Sequence, residues 1–198
     1  MRVRAVVASF LLVAACAHRA DVLEPAGPSP LPLGKADLSL APGAWGAPEG
    51  FVPRLAVTVG AGWSSGHRFA DFFDVGRNDP ARDAPLVAVA VTVSGAATAE
   101  AAVAEIRNAA GAAATPSVQD RLAGSVATRF DIVGGTGTLY RSRDGSLGLD
   151  ADPKQRLRFS VAAVSGAVVV VAVIVPDKAA WHGRVATAEP VVASLTSS

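Results

Sequence analysis

Residues 161–175 constrain the fold more than any other part of this sequence, because they are almost entirely apolar. As one helix they would span about 22 Å, which is too short for the ~30 Å hydrocarbon core of a bilayer. Their valines favour strands, and Ser165-Gly166 is typical of a two-residue hairpin turn. We therefore predict an antiparallel hairpin with arms at residues 156–164 and 167–175. The second arm is apolar at every position, so we expect it inside a sheet that is covered on both faces.

Short β-rich runs separated by turn residues recur along the rest of the chain. They predict further strands at residues 55–59, 72–77, 86–93, 117–122, 125–133 and 137–142. Thr98 and Gly111 are placed to begin and end a helix. Asp177 is placed to cap a short helical turn, and Thr187 to cap a last helix with Pro190 in its first turn. Many strands with few helices, in no regular alternation, predict an α+β fold with a single antiparallel β-sheet flanked by two or three helices.

The amino terminus resembles a bacterial lipoprotein signal. Two arginines precede an apolar run at residues 5–13, and two alanines precede Cys16, which is the only cysteine in the chain. We expect residues 1–15 to be a signal peptide and Cys16 to carry the lipid, whose buried methylenes contribute about 0.8 kcal/mol each. This places the protein outside the cytoplasm, anchored to the bacterial cell membrane. The alternative is an ordinary secretory leader that is cleaved elsewhere and takes the cysteine with it.

The segment after the cysteine differs in composition from the rest of the chain. Residues 16–48 are rich in proline and lack a sustained apolar period, which predicts an extended tether of about 3.1 Å per residue. One domain then follows at residues 49–198. Trp45 either docks on that domain or stays exposed in the tether.

The charges of the chain are nearly balanced, with 18 Lys and Arg against 17 Asp and Glu. Because no long run of like charge occurs, nothing indicates binding to nucleic acid or to a membrane surface through basic residues. We expect contact with the membrane through the lipid anchor alone.

Residues 62–66 (Gly-Trp-Ser-Ser-Gly) match the Gly-x-Ser-x-Gly turn that presents a nucleophilic serine, here Ser64. His182 follows later in the chain as a candidate base. Three aspartates could supply the acid: Asp131, Asp150 and Asp177. The turn requires a parallel, doubly wound sheet, which the sequence does not predict. The alternative is a glycine-rich turn whose Trp63 packs on the sheet.

Two other groups of polar residues do not fit a metal site. Oxygen-bearing side chains gather near Gly145, but their spacing departs from that of a calcium loop and is better explained by a solvated hairpin. These side chains are Asp144, Ser146, Asp150 and Asp152. His18, His67 and His182 lack the paired spacing of a zinc site. We expect neither a metal nor a cofactor.

Five arginines alternate with apolar residues on or beside the predicted strands, so several can share one face of the sheet. They are Arg129, Arg141, Arg143, Arg156 and Arg158. That face is either a binding surface for an acidic partner or glycan, or an ordinary solvated face neutralised by Asp131, Asp144 and Asp152.

The order of elements resembles that of LpqN-type secreted lipoproteins of actinobacteria, which have a PsbP-like fold. The resemblance rests on Gly62-Trp63 after a strand, on residues 126–131 (Val-Ala-Thr-Arg-Phe-Asp) and on residues 188–195 (Ala-Glu-Pro-Val-Val-Ala-Ser-Leu). It covers roughly residues 50–196. It implies an antiparallel sheet flanked by helices and a role in docking or accessory binding. Since members share no catalytic set, no functional residue is carried over.

Three functions are compatible with these patterns. The leading hypothesis is a non-enzymatic lipoprotein whose domain binds a protein or cell-envelope partner. A small serine esterase using Ser64 is the first alternative. A small-ligand carrier is the second, and it requires an enclosed apolar pocket near Trp63 or Trp181.

Replacing the candidate lipid-bearing residue tests the predicted location. We expect Cys16→Ala to release the protein from the membrane fraction or to block its processing, because no thiol remains to accept the lipid. Labelling of expressing cells with radioactive palmitate, followed by fractionation, measures both effects. A labelled product from the Cys16→Ala variant would contradict the assignment.

Overall fold

Strands dominate the computed structural model, which describes residues 28–79, 84–143, 145 and 148–197. Strands make up 50% of the structure, and the described ranges contain fourteen strands in three sheets and two α-helices. The predicted single sheet flanked by two or three helices is therefore wrong. A second sheet, rather than helices alone, covers one face of the large sheet, because residues 29–30, 43–46 and 196–197 add strands to the buried apolar strand at residues 55–59.

Along the chain, one helix lies between the seventh and eighth strands and the other lies just before the last strand. In order, the elements are β1 (Ser29–Pro30), β2 (Leu38–Ser39), β3 (Gly43–Gly46), β4 (Leu55–Val59), β5 (Ser64–Phe69), β6 (Phe72–Asp79), β7 (Ala84–Val93), α1 (Ala99–Ala110), β8 (Val118–Leu122), β9 (Ser125–Val133), β10 (Gly137–Arg141), β11 (Gly148–Ala151), β12 (Arg156–Val164), β13 (Ala167–Val175), α2 (Trp181–Ala193) and β14 (Thr196–Ser197).

The large sheet has eight strands in the order β2-β5-β6-β7-β13-β12-β9-β8, and all its neighbours are antiparallel. A four-stranded sheet has the order β1-β3-β4-β14, in which only β1 and β3 are parallel. The third sheet is the β10-β11 hairpin.

The predicted hairpin of β12 and β13 is confirmed. The two strands pair from Val164 with Ala167 to Arg156 with Val175. Ser165 and Gly166 have φ values of 47° and 83°, and two positive values are what the tight turns of hairpins require. On its other side β13 pairs with β7, so it lies inside the sheet as expected.

The two faces of the large sheet are covered by different elements. On the α1 face, α1 and strand β10 cover an apolar layer that includes Phe130 and Phe159, whose rings stack at 5.5 Å between centroids. On the α2 face, α2 and the four-stranded sheet cover an apolar layer that includes Val171 and Val173. Because side chains alternate along a strand, β13 contributes to both layers at once.

The first predicted helix is confirmed and the last is only partly so. Thr98 caps α1 by accepting a hydrogen bond from Ala101 N at 3.2 Å, and Gly111 follows its end. In contrast, α2 begins at Trp181, and Thr187 lies inside it with its hydroxyl donating to Gly183 O at 3.1 Å. Neither helix in the described ranges combines the length and apolar content that crossing a bilayer demands.

The predicted tether is described from residue 28 onward, and there it lies on the domain. Residues 28–48 contribute β1, β2 and β3, and they bury Leu31 and Leu40 in the core. Trp45 is half-buried against the same core, and its indole Nε1 donates to Ala41 O at 3.0 Å. The signal peptide, Cys16 and residues 16–27 lie outside the described residues.

Arg68 of β5 fixes this amino-terminal segment. Its guanidinium is buried and donates to Pro32 O at 2.7 Å and to Ala36 O at 2.8 Å. The Arg68 backbone also exchanges two hydrogen bonds with Gly34, of 2.8 and 3.0 Å. We call these contacts the Arg68 clamp. They join residues 32–36 to the large sheet.

Truncating one of the stacked rings tests the core on the α1 face. Phe159 is fully buried, so Phe159→Ala should lower the free energy of unfolding by about 3–5 kcal/mol, through lost burial and the cavity that remains. Urea denaturation followed by tryptophan fluorescence measures this loss. Val126→Ala, on β9 at 67% exposure, is the control and should change stability by less than about 0.5 kcal/mol.

Candidate functional site

The α2 face carries charged side chains beside the apolar layer that α2 and the four-stranded sheet cover. Strand β12 points Arg156, Arg158 and Ser160 to this face, at alternate positions. In the neighbouring strand β9, Asp131 lies opposite Arg158, and Arg129 lies opposite Ser160. The pairing of the strands therefore places cations and a carboxylate side by side.

Asp131 holds two of the arginines. Its carboxylate accepts from Arg158 Nε at 2.9 Å and Nη2 at 3.3 Å, and from Arg156 Nη2 at 2.7 Å. Burial by itself raises the pKa of Asp131, but the hydrogen bonds and charges of Arg158 and Arg156 outweigh this effect and hold the pKa below its usual value. The carboxylate is therefore ionised at neutral pH.

Trp181 packs beneath the same two arginines. The guanidinium carbons of Arg156 and Arg158 lie 4.4 and 5.2 Å from the centre of its ring, within cation–π range. Trp181 is the first residue of α2, so these contacts attach the start of the helix to β12. Further along α2, Glu189 accepts from Arg158 Nη1 at 2.6 Å. The hydrogen bond to Asp131 raises the pKa of Arg158, which stays charged.

A cavity of about 250 Å³ opens between α2 and strands β8, β9 and β12. We call it the arginine cleft. Its polar lining includes Asp120, Arg129, Arg158, Ser160 and Glu189, and its apolar lining includes Val171 and Val173. Arg129 Nη1 lies 2.8 Å from Asp120 Oδ2, and both of these side chains are about one third exposed.

The predicted arginine face is assembled only in part. Arg129, Arg156 and Arg158 come together, whereas Arg141 and Arg143 line a separate cavity of about 370 Å³ near Tyr140. Burial raises the pKa of Tyr140 to about 12, so its hydroxyl stays neutral.

The negative charges also differ from those expected. Asp131 neutralises as predicted, but Asp152 accepts from the backbone N–H of Lys154 at 2.7 Å, and Asp144 lies outside the described residues. The remaining carboxylates are Asp120 and Glu189, which were not among the expected residues. Asp120 could have been found from the alternation of β8, whereas the approach of α2 carries no sequence signal.

The Ser64 motif does not form the turn that nucleophilic serines need. Ser64 begins β5 and pairs with Gly76 of β6, so a strand and not a helix follows. Ser64 lines a cavity of about 120 Å³ together with Asp37 and Asp74. Within the described residues, its hydroxyl makes no hydrogen bond to a histidine or a carboxylate. His182 lies exposed on α2.

The other candidate residues serve local structure. Asp177 caps the turn before α2 by accepting from Ala179 N at 3.0 Å, and Asp150 lies exposed on β11. His67 is exposed, and its backbone N–H donates to Asp74 Oδ1 at 2.7 Å. His18 and Ser146 lie outside the described residues. Over the described ranges, no three His, Cys, Asp or Glu side chains come close enough to hold a metal.

The two tryptophans named for a ligand carrier are buried. Trp63 is part of the apolar core. A groove of about 440 Å³ beside it is also lined by Arg77 and Thr58. Trp181 is covered by the two arginines.

Comparison with known proteins identifies structural neighbours of low similarity. No protein-family model matches the chain, and no curated protein is significantly similar to it. A protein of known structure from Bacteroides thetaiotaomicron is 11% identical with a TM-score of 0.44, and the match covers 73% of this chain and 45% of that one. The chain thus spans less than half the length of that protein.

A second neighbour is the cyanobacterial PsbP protein CyanoP from Synechocystis. It is 11% identical with a TM-score of 0.41, and the match covers 73% of this chain and 86% of that one. The structural neighbours thus include a PsbP protein, at identities too low to transfer any function.

Removing the carboxylate that holds the arginines should destabilise the protein in a pH-dependent way. We expect Asp131→Asn to cost about 3 kcal/mol at pH 7, because Arg156 loses its carboxylate partner and Arg158 keeps only the exposed Glu189. Since the pKa of Asp131 is lowered by folding, its contribution is full above the unfolded value near 3.9 and is lost as the pH falls through the folded value. Urea denaturation at pH 7, 5 and 3 should therefore show similar differences between wild type and variant at pH 7 and 5, and a smaller difference at pH 3.

The matched control is Asp120→Asn, in the exposed ion pair with Arg129. It should cost less than about 1 kcal/mol at pH 7. Equal losses for the two variants would show that burial does not distinguish the two ion pairs.

Proposed function

We propose that this chain is a lipid-anchored extracytoplasmic protein whose sheet domain binds a protein or cell-envelope partner through the arginine cleft, without catalysing a reaction. The observation that carries the proposal is the cleft itself, where the guanidinium of Arg158, held by Asp131 and Trp181, borders a cavity of about 250 Å³.

The fixed position of Arg158 supports a binding role. Its guanidinium contacts Asp131, Glu189 and the ring of Trp181. A free arginine side chain loses rotamer freedom when it is immobilised at an interface, at about 0.5–1.5 kcal/mol. Because folding has already ordered Arg158, a partner that contacts it avoids most of that cost.

The charge balance of the cleft indicates how a partner is recognised. Four arginines and three carboxylates lie in or beside it, so the net charge of the cleft is small and attracts a charged partner only weakly. Recognition then depends on the direction of individual hydrogen bonds and on shape rather than on steering by net charge.

The lipid anchor belongs to the same proposal and depends on the sequence. A leader of apolar residues followed by Cys16 is the arrangement of a lipoprotein signal, and a stable anchor takes more than one acyl chain. The resemblance to actinobacterial LpqN-type lipoproteins agrees with this placement and with a binding role.

Site-directed photo-cross-linking in expressing cells tests the proposed surface. A photoreactive amino acid at Ala193, which is exposed at the edge of the cleft, should give a discrete cross-linked product on gels of the membrane fraction. The matched control is the same amino acid at Val126, which is exposed on the α1 face of the sheet. That position should give no such product.

Two further measurements sharpen the test. Arg129→Gln combined with the photoreactive group at Ala193 should reduce the product, because Arg129 lines the cleft. Products of equal yield from Ala193 and Val126, or none from either, contradict the proposed surface.

A further inference from the structure

Ser160 offers a hydroxyl to the arginine cleft that the protein itself does not use. The residue lies in the middle of β12, is 6% exposed and lines the cleft. Among the described residues its hydroxyl has no hydrogen-bond partner. Because the residue lines an open cavity, its hydroxyl can form a hydrogen bond with a ligand atom in the cleft.

Arg129 lies next to this hydroxyl. It is the cross-strand neighbour of Ser160, on the same face of the sheet, where Cβ atoms lie about 4.5–5.5 Å apart. A guanidinium has five N–H donors, more than one carboxylate can engage, and that of Arg129 contacts Asp120 through Nη1 at 2.8 Å. Ser160 and Arg129 can therefore both donate to a ligand in the cleft.

On the other side of Ser160 the cleft is apolar. Val171 is the cross-strand neighbour of Ser160 in β13, and Val173 lies two residues along the same face. Arg129, Ser160 and Val171 thus form one row across three strands, polar at one end and aliphatic at the other.

We propose that the arginine cleft binds a carboxylate carried on a short aliphatic body, with the carboxylate accepting from Arg129 and Ser160 and the body packing on Val171 and Val173. This inference rests on the proposed function and specifies the chemistry of its partner. A carboxylate has one negative charge and matches an arginine side chain geometrically. A phosphate dianion would place a second negative charge near Asp120 and Glu189, which disfavours it.

Such a group has two sources, a free short-chain acid or the carboxyl end of a peptide with an aliphatic side chain. Hexanoate represents the first and N-acetyl-leucine the second. The neutral compounds hexanamide and N-acetyl-leucinamide have nearly the same shapes without the charge.

Calorimetric titration of the purified full chain, in a maltoside detergent at pH 7, tests the inference. We expect at least one of the two acids to bind at least tenfold more tightly than its amide, because the amide cannot form charge-assisted hydrogen bonds. The acid that binds more tightly identifies the source. Arg129→Gln should remove this preference. Ser160→Ala should weaken binding about tenfold, the effect of losing one hydrogen bond to a charged group.

Arg141→Gln is the matched control, because Arg141 is an exposed arginine outside the cleft. It should leave binding unchanged. Equal binding of acids and amides, no binding of either acid, or equal losses in Arg129→Gln and Arg141→Gln would overturn the inference. If the acids fail to bind while the cross-link at Ala193 still forms, the proposed function stands without this chemistry. If both fail, the cleft is not a binding site.

Discussion

The requirement to cover β13 on both faces organises this molecule. Seven consecutive positions of the strand, from Val168 to Ile174, carry apolar side chains that alternate between two layers. Burial of such side chains contributes about 1.5–3 kcal/mol each, so a single sheet with one open face would leave half of this free energy unused. The α1 helix with strand β10 meets the requirement on one side, and α2 with the four-stranded sheet meets it on the other.

The two covering layers differ in extent, and the arginine cleft follows from that difference. On the α2 face the apolar layer is centred on β7 and β13. The next two strands, β12 and β9, carry charged residues on the same face, namely Arg156, Arg158, Arg129 and Asp131. Asp131 makes this possible, because its ionised carboxylate pairs with two guanidiniums at the border of the core, and Glu189 adds a second negative charge beside Arg158. Trp181 then extends the apolar layer underneath them. The cleft is thus the boundary between the core and the solvated part of one sheet face.

Local signals in the sequence predicted much of the large sheet. The turn at Ser165-Gly166, the cap at Thr98 and the apolar runs gave correct strands and a correct helix, because each depends on residues close together in the chain. The four-stranded sheet escaped prediction because β1 and β14 are two residues long and pair with strands distant in sequence.

The sequence analysis predicted neither the residue at which α2 begins nor the full set of residues that line the cleft, for related reasons. Thr187 is a good capping residue, but the helix had already begun at Trp181, where packing under Arg156 and Arg158 fixes the chain. In the cleft, the alternation of β12 predicted that Arg156 and Arg158 share a face. It could not predict the approach of Glu189, because that depends on how α2 packs on the sheet.

The Arg68 clamp determines how the domain responds to mechanical load. A pull on the amino-terminal side first meets β1, which is held to β3 at only two residue pairs. The next contacts along the chain are the hydrogen bonds from the Arg68 guanidinium to Pro32 O and Ala36 O. They connect the segment directly to β5, an interior strand of the large sheet. We therefore expect peeling of the amino-terminal segment to meet its first strong resistance at residues 32–36.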